Sequence, residues 1–327
     1  MKKTNWGIIA LGRIADTFAD ALSAVEGAEL YAVASRDEQR ARDFAQKHGA
    51  QKYYGSYKAL AEDKNVDVIY IASPMAQHYE QTKMCLSAGK NVLCEKTITL
   101  NGRQLSELID LARKNNVFFM EAMWMKFLPT FRKAKEWVQS GRIGNVRAVK
   151  ADFSNLCPFN SEDRLFKSSL GGGCLLDLGV YPITFACEFL GYSPREIISD
   201  MYIGKSGVDF DLSLVLRYEN SYADICAGFD MENENAAFVI GDKGRIRFGN
   251  WFFCTCDVML YDDDGNLVEH YNHPHIKNGY EYEIIEVQDC LTEGFKESRI
   301  NPLSHTAATM KIMDKCRADG GLVFESE

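Results

Sequence analysis

Strand-like and helix-like patterns alternate from Trp6 to Met120, and this alternation restricts the fold more than any other feature of the chain. Trp6-Gly7-Ile8-Ile9-Ala10 reads as a short buried strand, followed by a helical pattern from Ile14 to Val25. Glu29 to Ala34 is a second strand, and Asp37 to His48 a helix with Asp37 at its N-cap. Val66 to Ala72 is a third strand, β-branched and nearly all apolar. His78 to Ala88 is a helix ending at Gly89. Val92 to Cys94, Leu105 to Lys114 and Val117 to Met120 add a strand, a helix and a strand. Strands that are apolar on both faces and separated by helices predict a doubly wound parallel sheet.

The first strand-to-helix turn, Ala10-Leu11-Gly12-Arg13-Ile14-Ala15, has the form A-x-G-x-x-A. Its glycine lets the backbone approach a pyrophosphate, and the helix start offers free N–H groups to it. Ala10 stands where such fingerprints usually carry glycine, so the weight comes from context: the turn follows a strand, opens a helix and lies in a βαβ unit. The second strand ends in Ser35-Arg36-Asp37, with Arg40 one turn later. Arginine offers planar paired donors to a ribose 2′-phosphate, which points to NADP. Asp37 keeps NAD open, because an acidic residue here can hold a ribose 2′-hydroxyl.

Beyond about residue 140 the helical crossovers stop. Pro129 to Ser140 reads as a helix. It is followed by strand patterns at Val146–Phe153, Glu196–Ile203, Phe210–Tyr218, Tyr222–Phe229, Ala236–Ile240, Arg245–Phe248 and Val258–Tyr261. Turn signals such as Asp242-Lys243-Gly244 separate several of them. Leu175 to Leu190 is apolar nearly all round and reads as a buried helix. Tyr282 to Gly294 and Leu303 to Arg317 read as closing helices. The expected architecture is an α/β N-terminal Rossmann doubly wound parallel sheet over residues 1–122, then an α+β domain with an open, mainly antiparallel sheet over residues 123–327.

Two residues carry the chemistry. Lys96 ends the apolar run Asn91-Val92-Leu93-Cys94-Glu95-Lys96, and Tyr181 follows Asp177 by four residues, a spacing that shares one helix face. An ammonium near a phenol favours phenolate, and an acidified tyrosine suits a general base in alcohol oxidation. A surface lysine and a core tyrosine would look the same one at a time. It is the combination, placed after a nucleotide-binding turn, that points to catalysis.

The balance of 37 basic against 46 acidic residues gives a net charge of −9, which disfavours a nucleic-acid partner. The apolar runs look short of the ~20 residues of a membrane helix, and Met1-Lys2-Lys3-Thr4-Asn5 leads straight into a strand, so no membrane partner and a cytoplasmic location are expected. The ten cysteines show no metal-ligand spacing, and no metal is expected.

With these residues in view, the chain resembles the glucose–fructose oxidoreductase/inositol dehydrogenase (Gfo/Idh/MocA) family over essentially its whole length. The carriers are Trp6 to Ala15, Glu95-Lys96, Met120-Glu121-Ala122-Met123-Trp124, and Gly171-Gly172-Gly173 running to Tyr181-Pro182. It is most similar to the branch of dimeric dihydrodiol dehydrogenases and NADP-dependent D-xylose dehydrogenases. That branch has tyrosine where many relatives have histidine. The resemblance implies that Lys96 touches nicotinamide ribose and substrate hydroxyl, that Tyr181 is the acid/base, and that Asp177 helps place substrate and lysine. It implies that Ala10, Leu11, Gly12, Arg13, Ile14, Ser35, Arg36, Arg40, Ser73, Pro74, His78, Glu95 and Lys96 bind the cofactor. Trp124, Phe153 and Arg164 fall where the branch lines its substrate pocket. Thr97 departs from the family's Glu-Lys-Pro motif, and without proline's fixed φ it is expected to disturb Lys96.

The expected function is hydride transfer between NADP and a secondary alcohol or hemiacetal carbon of an aldose, cyclic polyol or trans-dihydrodiol. The resemblance also implies a homodimer or homotetramer formed through the C-terminal sheet. The alternatives are an NAD-dependent polyol or amino-sugar dehydrogenase of the same fold and a non-catalytic dinucleotide-binding regulator. No role is assigned to the loop from Asn272 to Gly279.

Overall fold

A computed structural model of the chain describes residues 3–325 and 327. Met1 and Lys2, which open the first expected domain, lie outside the described residues. The chain divides into two compact units. The first comprises Met1–Phe127 with His275–Thr306, and the second Leu128–Pro274 with Ala307–Glu327. Residues 275–306 thus belong with the N-terminal unit although they follow the second in sequence.

The first unit is built on a six-stranded parallel sheet of β1 (Thr4–Ile9), β2 (Ala28–Ala34), β3 (Lys52–Tyr54), β4 (Val68–Ile71), β5 (Asn91–Glu95) and β6 (Phe119–Ala122). The strand order is β3-β2-β1-β4-β5-β6, the doubly wound order of a Rossmann domain. Between the strands run α1 (Arg13–Leu22), α2 (Glu38–His48), α3 (Tyr57–Glu62), α4 (His78–Ser87) and α5 (Gly102–Asn115). β4 is buried throughout, as its unbroken apolar run requires. Beneath it, Phe18 of α1 stacks on Tyr70 with ring centroids 3.6 Å apart, and Trp6 packs on Phe18 at 5.5 Å. The order reverses between β1 and β4, the switch point at which open α/β sheets bind ligands.

In the second unit, α6 (Pro129–Gln139) precedes an eight-stranded sheet. Its strands are β7 (Val146–Ser154), β8 (Glu196–Ile203), β9 (Asp209–Arg217), β10 (Tyr222–Gly228), β11 (Ala237–Gly241), β12 (Gly244–Phe248), β13 (Asp257–Asp262) and β14 (Leu267–Asn272). The order is β14-β13-β12-β11-β7-β10-β9-β8, antiparallel except where β7 lies parallel to β10. α7 (Val180–Leu190) packs on β7 and β10, so Leu212, Leu214, Leu216, Ala223 and Ile225 are buried on one face. Ile198, Tyr202 and Tyr222 stand exposed on the same sheet. By length and composition the stretch Ser168–Leu190 is apolar enough to cross a bilayer, which the short apolar runs did not suggest. Of its apolar 18-residue window, 78% is buried within the protein, as in a core helix.

The chain then returns to the first unit with α8 (Glu281–Glu293), which packs on α1 and on the turn Trp124–Phe127. The final helix, α9 (Leu303–Gly320), follows. Three elements depart from the periodicity reading. β3 and β14 are short edge strands with little buried surface, and α3 has only six residues. The buried helix is not uniform: Leu175–Gly179 is π-helical and passes directly into α7.

Candidate functional site

At the switch point, β1 ends and Ala10 takes a left-handed φ of 67°. A side chain there costs about 1 kcal/mol, which is why glycine is usual at this position. Gly12 follows in extended conformation as the N-cap of α1, with no side chain capping the helix. A Cβ on Gly12 would meet nothing within 4 Å. The first N–H groups of α1, which lack partners within the helix, therefore open beside a bare glycine, the arrangement that receives a pyrophosphate.

Beyond β2, Ser35 Oγ accepts from Asp37 N (3.2 Å), and Asp37 caps α2 by accepting from Arg40 N (3.1 Å). The Asp37 carboxylate is thus engaged by its own helix. Arg36 is exposed, and Arg40 reaches back to donate to Leu11 O (2.5 Å). A cleft of about 430 Å³ opens here between Leu11, Asp16, Asp37, Arg40, Asp43 and Lys47. Asp16 is answered by Lys47 and His48, each 2.7 Å away. Although burial pushes its carboxyl upward, these two partners bring it below the usual range.

After β4 the chain runs through Ser73 and Pro74 to His78 at the start of α4. The Ser73 hydroxyl is buried with no hydrogen-bond partner, an orphan at the mouth of the sheet. His78 is 1% exposed, and its ring nitrogens contact two carbonyls, Nδ1 with Thr97 O and Nε2 with Ser73 O, both at 2.8 Å. Glu95, at the end of β5, accepts from Tyr70 Oη and from Lys96 N (3.1 Å). Lys96 is partly exposed while its neighbours Glu95 and Thr97 are buried. The Lys96–Thr97 peptide is cis. These residues fit a bound nicotinamide dinucleotide: an uncapped helix start, a bare glycine, an orphan hydroxyl and a lysine all lie at the C-terminal ends of β1, β4 and β5.

Trp124 follows β6 and stacks on Tyr280 at 4.5 Å and 14°. Gly279, with φ 100°, lies so close that a Cβ would come 2.7 Å from the indole. The loop that carries it is held by Glu281, which is fully buried and whose carboxylate accepts from the amides of Lys277 (3.0 Å), Asn278 (3.2 Å) and Gly279 (2.7 Å). The segment that had no role in the sequence reading thus supports Trp124.

The second unit holds the remaining expected residues. Asp177 lies in the π-helical segment and Tyr181 in the first turn of α7. Arg164 faces Asp177 with both guanidinium nitrogens, Nη1 to Oδ1 at 3.4 Å and Nη2 to Oδ2 at 3.3 Å. Gly172 permits this approach, since a Cβ there would lie 2.6 Å from Leu165 O and 2.7 Å from Arg164 O. Tyr181 is buried, its ring centroid 5.7 Å from Phe153 and 4.8 Å from Phe253. Trp251 closes on Phe153 from another side at 6.1 Å. Trp251, Phe253 and Tyr280 were not singled out from the sequence. The available signal was the aromatic run Trp251-Phe252-Phe253 between two strands.

A Rossmann domain that binds NAD(P), in a chain with this open-sheet second unit, defines a nicotinamide-dependent dehydrogenase acting on hydroxyl groups. The chain belongs to the Gfo/Idh/MocA oxidoreductase family. Residues 4–123 match the model described as oxidoreductase family, NAD-binding Rossmann fold, and residues 131–247 match the GFO/IDH/MocA C-terminal domain. Trans-1,2-dihydrobenzene-1,2-diol dehydrogenase from Xenopus laevis is 35% identical, over 98% of this chain and 99% of its own length. The Homo sapiens enzyme of that name is 33% identical, over 98% of each. Among solved structures, KijD10, a 3-ketoreductase from Actinomadura kijaniata in complex with NADP and TDP-benzene, superimposes with a TM-score of 0.87 at 26% identity, over 98% of each chain. An aldose-aldose oxidoreductase from Caulobacter crescentus shares the fold with a TM-score of 0.88 at 19% identity, over 97% of this chain and 98% of its own.

Proposed function

We propose that this dehydrogenase uses NADP to oxidise a secondary alcohol or hemiacetal carbon of a polyhydroxylated substrate, or to reduce the corresponding carbonyl, with Tyr181 as acid/base. The observation that carries the reading is Tyr181 itself, whose phenol-bearing ring is buried against Phe153 and Phe253 on the helix that follows Asp177. When bound, the cofactor supplies the hydride acceptor or donor. Tyr181 takes the substrate hydroxyl proton as hydride leaves and returns it in reverse. The family resemblance assigns Lys96 the part of favouring the phenolate, since a positive charge stabilises an ionised phenol. Asp177 pushes the other way and acts by orientation, its charge balanced by Arg164. The aromatic walls Phe153, Trp251 and Phe253 suit a sugar face or an arene diol, in keeping with relatives named as dihydrodiol dehydrogenases.

The preference for NADP over NAD rests on the engagement of Asp37 as a helix cap and on Arg36 standing exposed beside it. A homodimer or homotetramer forms through the sheet face bearing Ile198, Tyr202 and Tyr222. A monomeric mass in light scattering, at micromolar concentration, would reject that assembly. The enzyme works in the cytoplasm, and recovery in a membrane fraction would contradict this. The direct test of mechanism is Tyr181→Phe: turnover should drop by about 10²–10⁴-fold while the Kd for NADP stays near wild type. Undiminished turnover would remove Tyr181 from the chemistry.

A further inference from the structure

The peptides on either side of the Lys96–Thr97 bond are each held by ionisable side chains. Lys96 N–H donates to Glu95 Oε2 (3.1 Å), Thr97 C=O meets His78 Nδ1 (2.8 Å), and Ile98 N–H donates to Glu121 Oε1 (3.1 Å). Glu95, His78 and Glu121 are 6%, 1% and 4% exposed, and Thr97 and Ile98 are fully buried. Glu121 lies on β6 directly opposite Cys94 of β5, so its carboxylate reaches the turn from the neighbouring strand. His78 reaches it from the start of α4 and ties it to Ser73. The position where the family carries proline is therefore braced from two further elements of the sheet layer.

We propose that Glu121 is a positioning residue for Lys96: through the Ile98 amide, its carboxylate fixes the turn on which Lys96 stands, and its charge state sets how firmly. The proposal rests on the reading of Lys96 given above. An ionised carboxylate accepts a backbone N–H roughly twice as strongly as a neutral group does, so protonation of Glu121 loosens the turn. The groups facing Glu121 are known. Lys126, 2% exposed, lies in the turn after β6, with Nζ 2.9 Å from Asn301 Oδ1 and 3.4 Å from His305 Nδ1. Glu95 adds a like charge from β5. Burial pushes the Glu121 carboxyl up to about 7, while the Ile98 amide and Lys126 hold it down and Glu95 pushes it up. Glu121 therefore changes charge across the neutral range. Nearby, burial and the charge of Lys96 lower the His78 imidazole, while its two carbonyl partners favour protonation.

The test is Glu121→Gln in the full chain, with kcat and KM measured against pH between about 5.5 and 8.5, the Kd for NADP, and the pH dependence of amine labelling at Lys96 read by mass spectrometry. Wild-type kcat should fall on the acid side as Glu121 takes up its proton. The variant should lack that limb and behave at every pH like the acid form of wild type, with kcat lower by about 10-fold at alkaline pH, since an ångström of misplacement costs about 100-fold. KM and the NADP Kd should change little. The labelling curve of Lys96 should show a break near neutrality in wild type and none in the variant. An unaltered kcat profile and an unaltered labelling curve would overturn the proposal. Should Glu121→Gln fail to fold, Glu121→Asp keeps the charge but shortens the reach. It should lower kcat while retaining the acid limb, and an unchanged kcat would overturn the proposal. A wild type that turns over no substrate but shows the labelling break would refute the catalytic reading and leave the positioning role of Glu121 standing.

Discussion

Glu121→Gln should also stabilise the folded chain relative to wild type by an amount that grows with pH. The Glu121 carboxyl is buried and pushed from 4.5 to about 7. Because its folded pKa exceeds its unfolded value, the folded state binds the proton more tightly. The resulting stability is complete below the unfolded pKa and is lost as pH rises through the folded one. At about 1.4 kcal/mol per pH unit, the interval from 4.5 to about 7 amounts to about 3 kcal/mol. Glutamine keeps the side-chain volume and an oxygen for the Ile98 amide but has no proton to lose. Urea unfolding of both proteins, followed by circular dichroism at constant ionic strength from about pH 5 to about pH 8.5, reads the difference. The stability gap should move by about 3 kcal/mol in favour of the variant across that range, most of it before about pH 7.5. A gap that stays constant, or one that moves in favour of wild type as pH rises, would refute the reasoning.

Further outcomes follow from the cofactor end of the first unit. Arg36→Ala should weaken NADP by roughly 10-fold or more, the worth of one charge-assisted hydrogen bond, and leave NAD nearly unchanged; isothermal titration with both cofactors checks this, and equal losses would reject the NADP assignment. Asp37→Ala should cost about 1 kcal/mol of stability through the lost cap without improving NADP over NAD. A large selective loss of NAD binding would instead make Asp37 a ribose ligand.

The sequence made the first unit legible because its central strands are apolar on both faces and helices such as α2 and α5 begin at side-chain caps. The prediction of Asp37 as a cap holds because that reading uses only a residue type and the next three positions. The strand Glu196–Ile203 has the predicted bounds, its exposed and half-buried residues alternating along the strand. What escaped depends on contacts far apart in the chain. β3 and β14 pair along edges with few apolar residues to mark them. The π-helical start before α7 leaves the apolar pattern intact, so periodicity cannot see it. Trp251 and Phe253 meet Phe153 only because β7 and the loop after β12 are brought together by the sheet. Glu121 could be noticed within a motif, but its bond to Ile98 spans 23 positions. The same holds for the Trp124–Tyr280 stack, which joins residues far apart in the sequence. At Thr97, where the family motif has proline, the turn is braced through backbone groups by Glu95, His78 and Glu121, contacts that a strand-by-strand reading of the sequence does not show.

The most direct measurement is reduced-nicotinamide formation by the purified chain with a panel of trans-dihydrodiols, aldoses and cyclic polyols, NADP and NAD being supplied in parallel. Turnover with NADP, exceeding that with NAD, on at least one member of the panel is the result predicted here. Tight NADP binding with no turnover of any member, or turnover that requires NAD, would contradict it.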